Sequence, residues 1–337
     1  MNKAEGKILI TGGDGLIGSA LIWALNERGR DDIIVTGQLR QGEKWKNLVA
    51  LRFQDYLEAD RLLEDLESPR LADVSHIFHL GACSDTTEKD CRYLIENNYE
   101  YTRTLAEWAI ARGKRFVYAS SAATYGDGSA GMRDGDEDLA QFRPLNMYGY
   151  SKQLFDVHAK HRGWLKQIAG LKYFNVYGPN EAHKGEMRSV VHKAYEQIRA
   201  KGSVRLFKSM HPDYKDGEQK RDFFYVKDAV DATLHLGFKR DAVGLFNLGS
   251  GVASTWIELV TPIFELLGLP VDIEFIDLPE HLREKYQYYT CADTARLRAS
   301  GWAGPRFSLD QAVRDYVGRH LIPGQPLEPD SRALSTP

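Results

Sequence analysis

A short apolar run over residues 7–11 passes directly into Thr11-Gly-Gly-Asp-Gly-Leu-Ile-Gly18 and then into a helical pattern reaching residue 28. No other stretch limits the chain as strongly. A strand, a glycine turn and a helix open a βαβ unit, and parallel strands need such helical crossovers. Gly12 and Gly15 allow a tight turn and the close approach of a pyrophosphate, while Gly18 lets the helix pack on the strand. The helix N-terminus adds amides and partial positive charge. A glycine pattern alone also describes an ordinary strand-to-helix turn. Its place after the first strand favours a dinucleotide.

The rhythm continues with apolar runs at 33–36, 74–80 and 115–120 and a helical pattern over 90–112. This predicts an α/β chain built on a doubly wound parallel Rossmann sheet, with a smaller C-terminal α/β substrate-binding domain. Residues 8–10 and 116–118 lack alternation, as strands covered on both faces should. The expected division is 1–174 for the cofactor domain, 175–322 mainly for substrate with a return to the first sheet, and a loosely ordered tail at 323–337. A polar stretch at 209–220 reads as a lid or mobile segment.

Composition narrows the class of function. The 337 residues, 43% hydrophobic, suffice for one nucleotide-sized domain and an appendage. A formal net charge of -3 creates no basic field, which argues against nucleic acid as a partner. No apolar run approaches the roughly 18 residues of a membrane span, and the N-terminus carries no signal-peptide pattern, so a soluble cytoplasmic protein is expected. Cys83, Cys91 and Cys291 are scattered and lack any C-x-x-C spacing, which suggests neither a disulfide framework nor a metal site.

The second strand ends at Gly37, where a cofactor with a free ribose 2′-hydroxyl would be expected to meet Asp or Glu. Gln38 follows, then Arg40 and Lys44. A cationic loop without a carboxylate favours the 2′-phosphate of NADP over NAD, the alternative being that both cations are ordinary solvated surface charges.

Chemistry enters at Met147-Tyr-Gly-Tyr-Ser-Lys152, which follows the helix-start signal Pro144-Leu-Asn146. Tyr148 and Lys152 stand four apart and share a helix face. An ammonium held near the phenol would lower its pKa from about 10 towards neutrality, making it a proton acceptor for an alcohol.

With that pair and the glycine turn, the chain resembles the extended short-chain dehydrogenase/reductase superfamily. Tyr118-Ala-Ser-Ser-Ala-Ala-Thr-Tyr-Gly126 resembles its serine loop, with Ser121 as the hydroxyl that orients a substrate alcohol. Sugar 4,6-dehydratases carry Asp-Glu where this chain has Ala122-Ala123, so dehydration is disfavoured. The passages His79–Glu88, Glu96-Asn-Asn-Tyr99 and Lys172–Met187 are similar to those of the ADP-L-glycero-D-manno-heptose 6-epimerase family, and the likeness covers nearly the whole chain.

The resemblance implies epimerisation of an ADP-activated manno-heptose at C6 for lipopolysaccharide core synthesis, by transient oxidation to a ketone. Tyr148 with Lys152 would act on one epimer and Lys184 on the other, and Lys152 would also hold the nicotinamide ribose. It assigns cofactor contacts to Leu16, Ile17, Gln38, Lys44, Leu80, Gly81, Ala82, Cys83, Ser84, Asn97, Val176 and Lys184. Nucleotide-sugar positions fall on Ser121, Asn175, Glu186, Lys193, Phe207, Lys208, Ser209, Met210, Arg221 and Tyr286. Arg221 suits a diphosphate, its alternative being a structural ion pair with Asp222 or Asp228. Relatives form homo-oligomers, often rings of five. Three departures stand out: Gly37 replaces an acid, the loop 208–220 is longer, and Glu186 takes the place of a small residue. The competing readings are another nucleotide-sugar epimerase, such as a UDP-hexose 4-epimerase, and a non-catalytic NADP-binding regulator.

Overall fold

The computed structural model describes residues 6–137, 139–283 and 286–330. Its strands are β1 (Lys7–Thr11), β2 (Ile33–Gly37), β3 (Asp55–Glu58), β4 (Val74–His79), β5 (Arg115–Ser121), β6 (Ala169–Tyr173), β7 (Asn175–Tyr177), β8 (Val204–Phe207), β9 (Lys220–Tyr225), β10 (Gly244–Leu248), β11 (Ala253–Thr255) and β12 (Ile273–Ile276). Seven form one sheet in the order β10-β6-β5-β4-β1-β2-β3, and every pairing in it is parallel. Ile8, Leu9 and Ile10 are fully buried, because helices cover both faces of β1. Strand order reverses between β1 and β4, and in open parallel sheets the crevice outside the carboxyl ends at such a switch point is where ligands bind.

The edge strand β3 has no counterpart in the sequence reading. Its run Asp-Tyr-Leu-Glu is half polar and only Leu57 is buried, so no apolar run announces it. The helical pattern over 90–112 is broken into Cys91–Leu94, a π-helical turn Ile95–Glu100 and Tyr101–Ala111.

After β6 the chain builds two small sheets, β11-β9-β7 and β12-β8, and then returns β10 to the main sheet beside β6. The buried Arg115 of β5 donates to the carbonyls of Leu236 at 2.8 Å, Ala242 at 2.6 Å and Gly237 at 3.2 Å, closing the end of helix Val226–Phe238. The loop after β8 packs against the body: Gln219 is fully buried, and His211 and Tyr214 lie on Tyr288 at 5.2 and 5.9 Å. Within 323–330, where a loose tail is expected, Leu327 is buried and its amide donates to Asn180 Oδ1 at 3.1 Å. Trp23 Nε1 donates to the Glu328 carbonyl at 3.2 Å, so this segment straps helix Leu16–Asn26. The rest of the expected tail, 331–337, lies outside the described residues.

One buried ion pair fixes helix Met147–His161 on the sheet. Lys172 of β6 and Asp156 of the helix have no solvent exposure and meet at 2.7 Å. Asp156 also accepts from Tyr118 and Ser120 of β5, each at 2.8 Å, and Lys172 donates to Thr124 Oγ1 at 2.7 Å. Lys172→Met strands a buried carboxylate and is expected to cost about 3–5 kcal/mol in chemical denaturation. Pairing it with Asp156→Leu should recover part of that loss.

Candidate active site

Around the crevice, each glycine of the turn is held by a close approach. Gly12 has φ +65°, and a Cβ there would lie 2.6 Å from Gly81 Cα; one at Gly18 would lie 2.1 Å from the Gly12 carbonyl oxygen. Gly15 caps helix Leu16–Asn26 without a side-chain hydrogen bond, and the first turn holds no acid, so the amides of Leu16 and Ile17 have no carboxylate competing for them. Thr11 Oγ1 lies 2.7 Å from His79 Nδ1 and accepts from the Gly81 amide at 3.1 Å, tying the ends of β1 and β4 together. Asn98 pins the next loop, accepting from the Cys83 amide at 2.9 Å and donating to the Cys83 carbonyl at 3.0 Å and to Ser151 Oγ at 3.0 Å. Leu80, Gly81, Ala82, Cys83 and Ser84 therefore form a fixed wall against helix Met147–His161, with half-buried Asn97 beside Asn98. This glycine cradle fits a dinucleotide.

At the end of β2 a carboxylate is present after all. It belongs to Asp14, which is 1% exposed and accepts from the Gln38 amide at 2.9 Å through Oδ2. Lys44 Nζ stands 3.5 Å from the same oxygen, so this cation is paired rather than solvated. Arg40, with φ +39°, is exposed.

Tyr148 enters from the first turn of its helix, which Asn146 caps by accepting from the Gly149 amide at 2.8 Å. Burial pushes the Tyr148 phenol up, and a hydrogen bond with Ser121 opposes the rise. Ser121 Oγ also accepts from the Ala123 amide at 3.1 Å. Lys152 is not among the groups that shift the Tyr148 phenol in this arrangement. The Lys152 ammonium is buried and donates to the Ala119 carbonyl at 2.9 Å, and desolvation lowers its pKa to about 8 despite Asp156 one turn on. Shared helix position brings the two residues to one face, and the Lys152 ammonium keeps donors beyond the one it gives to the sheet.

Lys184 lies in the 3-10 segment Ala182–Met187. Three buried residues hold that loop. Asn180, at φ +73°, donates to Ser19 Oγ at 3.1 Å; Glu181 accepts from the Ser189 amide at 2.7 Å, Ser189 Oγ at 2.6 Å and Tyr316 at 2.9 Å. Asn47 donates to the carbonyls of Asp14 at 2.9 Å and Asn180 at 3.0 Å, and its Nδ2 stands 3.1 Å from His183 Nδ1, joining the loop to the glycine turn. Burial lowers the Lys184 ammonium, with Glu181 opposing, and no ion pair engages it among the described residues.

The expected substrate residues divide. Arg221 is buried, donates to the Lys220 carbonyl at 2.9 Å and to that of Gln287, and lies 5.3 Å from the Tyr286 ring and 5.7 Å from that of Trp256. Its expected alternative, an ion pair with Asp222 or Asp228, is not formed among the described residues; Asp228 pairs with Arg306 instead. Asn175 donates to the Asp222 carbonyl at 3.1 Å and Val176 is half-buried. Phe207 contacts Tyr286 edge-on at 6.4 Å. Lys208 pairs with Asp277 at 3.0 Å, Ser209 donates through its amide to Asp216, and Met210 is exposed. Glu186 projects into solvent, its side chain 95% exposed, and faces Lys193 at 3.6 Å.

Sequence reading passed over Asp14, Asn47, Asn98, Asn180 and Glu181. All but Asn47 lie inside passages already singled out, so the signal was a polar residue between functional ones.

A glycine cradle at a parallel switch point, beside a Ser, a Tyr and a Lys, defines a Rossmann protein of the extended short-chain dehydrogenase/reductase kind. A model of the NAD dependent epimerase/dehydratase family matches residues 8–249. An ADP-L-glycero-D-manno-heptose-6-epimerase of Nitratidesulfovibrio vulgaris is 50% identical over 319 residues, covering 94% of this chain and 99% of that protein. One of Fusobacterium nucleatum is 42% identical over 324 residues, covering 93% and 98%. The crystal structure of the Helicobacter pylori enzyme of that name superposes with a TM-score of 0.75 at 27% identity, covering 94% of this chain and 96% of that one. The chain belongs to the NAD dependent epimerase/dehydratase family and is one of its epimerases.

His79 gives the site a measurable pH response. Burial, then the Lys152 charge, lowers its imidazole from 6.5 to about 3, so it is neutral between Thr11 and Thr102. A folded pKa below the unfolded one contributes stability present above 6.5 and lost as pH falls towards 3. His79→Gln should therefore lose less stability between pH 7 and pH 4 than the parent, as read from unfolding midpoints at a series of pH values.

Proposed function

We propose that the protein interconverts ADP-D-glycero- and ADP-L-glycero-β-D-manno-heptose at C6, serving lipopolysaccharide core synthesis in the cytoplasm. The observation that carries this reading is the second proton-transfer group. Lys184, its charge disfavoured by burial and its amine engaged in no ion pair among the described residues, comes from a different wall than Tyr148. A ketone that turns between oxidation and reduction presents its oxygen in two directions and needs a donor in each. The relatives bearing this enzyme's name support the substrate.

A bound nicotinamide dinucleotide supplies reversible oxidation at the carbinol carbon. Tyr148, hydrogen-bonded with Ser121, takes or returns the alcohol proton of one epimer, and Lys184 does so for the other. Ser121 steadies the substrate oxygen as its charge grows. Lys152 would hold the nicotinamide ribose, and Arg221, beside the Trp256 and Tyr286 rings, would meet the diphosphate. Arg40 and Lys44 support NADP, while the pairing of Lys44 with Asp14 weighs against it.

The test is incubation of the cofactor-loaded protein with ADP-D-glycero-β-D-manno-heptose, following C6 by NMR. Both epimers should appear without net change in the dinucleotide. Tyr148→Phe and Lys184→Met should each slow the exchange by about 10²–10⁴-fold. Wild-type exchange in Lys184→Met would rule out two proton-transfer groups, and exchange at C4 of a UDP-hexose alone would favour the ring epimerase.

A further inference from the structure

Gly37 is not simply a missing acid. A Cβ placed on it would lie 2.4 Å from Asp14 Cγ and 2.6 and 2.7 Å from the two carboxylate oxygens, so Asp14 already fills the space a side chain there would need. The carboxylate is delivered from within the glycine turn, between Gly13 and Gly15, and reaches the end of β2 from the neighbouring strand's loop. Its side chain is 2% exposed and its place is set on two sides, by the Gln38 amide and by Asn47 gripping its own carbonyl. A group so held cannot turn away to solvent.

We propose that Asp14 sets the cofactor choice of this chain: seated where a strand-end acid would act, it favours a dinucleotide with a free 2′-hydroxyl and withholds Lys44 from a 2′-phosphate. A ribose hydroxyl can donate to a fixed carboxylate, whereas a phosphate beside the same buried charge is repelled. Lys44 lies 3.5 Å from the Asp14 carboxylate, which neutralises part of the charge it could offer a phosphate; the other partner of that carboxylate is the Gln38 amide. Arg40 remains as an exposed cation of the loop. The proposal rests on the reading of the crevice as a dinucleotide site.

The test is direct titration of NAD and NADP into protein stripped of any dinucleotide retained through purification, with dissociation constants from calorimetry. The parent should bind NAD at least as tightly as NADP. Asp14→Asn, which keeps the shape and removes the charge, should move the ratio of the two constants at least tenfold towards NADP, and adding Lys44→Met should take most of that gain away. Asp14→Ala with Gly37→Asp relocates the acid into the vacated space and should restore the parent ratio, while Gly37→Asp alone should lower the melting temperature. An unchanged ratio in folded Asp14→Asn overturns the proposal, as does a parent that prefers NADP tenfold. Failure of the parent to bind either dinucleotide would instead sink the cofactor site itself.

Discussion

The buried pair of Lys172 and Asp156 is the constraint on which the rest of the site depends. Two charges without solvent contact persist only if each lone pair and proton is matched, and here Tyr118, Ser120 and Thr124 complete the set. The network joins β5, β6 and helix Met147–His161 into one rigid body. Tyr148 stands two turns before Asp156 on that helix, and Ser121 directly follows Ser120 on β5. The relative placement of phenol and hydroxyl is therefore set by groups that never touch substrate.

The same economy governs the loops. Asn98, Asn47 and Glu181 each replace secondary structure with side-chain hydrogen bonds to backbone, holding irregular segments as firmly as strands. Asn47 joins the glycine turn to the segment carrying Lys184, so the two share one anchor. Lys152 answers to the sheet in a comparable way. Its bond to the Ala119 carbonyl fixes the ammonium against β5 and leaves its other donors unassigned to the sheet.

Legibility in the sequence followed burial. Strands covered on both faces, such as β1 and β2, announce themselves as apolar runs, and the glycine turn declares its backbone geometry through residues that nothing larger can replace. The half-covered edge strand β3 does not. Asn97 could be named from a motif, whereas Asn98, which pins the loop through Cys83, could not, because that partner lies 15 residues away. Lys184 is legible only by resemblance, since three groups with long-range hydrogen bonds, invisible along the chain, hold a surface-like lysine in a half-buried place. At the end of β2 the charge was read by position along the strand, while space decided it: an acid distant in sequence occupied the site.

The return of β10 to the main sheet has a consequence for how the molecule can be divided. A cut after β6 would leave that strand as an open parallel edge, with its ladder to Gly244–Leu248 unpaired, and would strip Arg115 of all three carbonyls it serves. The smaller lobe is thus an insertion closed by a strand that returns to the main sheet, so a cut after β6 divides one continuous sheet. A gene fragment ending at the apparent lobe boundary would encode a sticky half-sheet, so exchange of this lobe between relatives must carry β10 and helix Val226–Phe238 along with it.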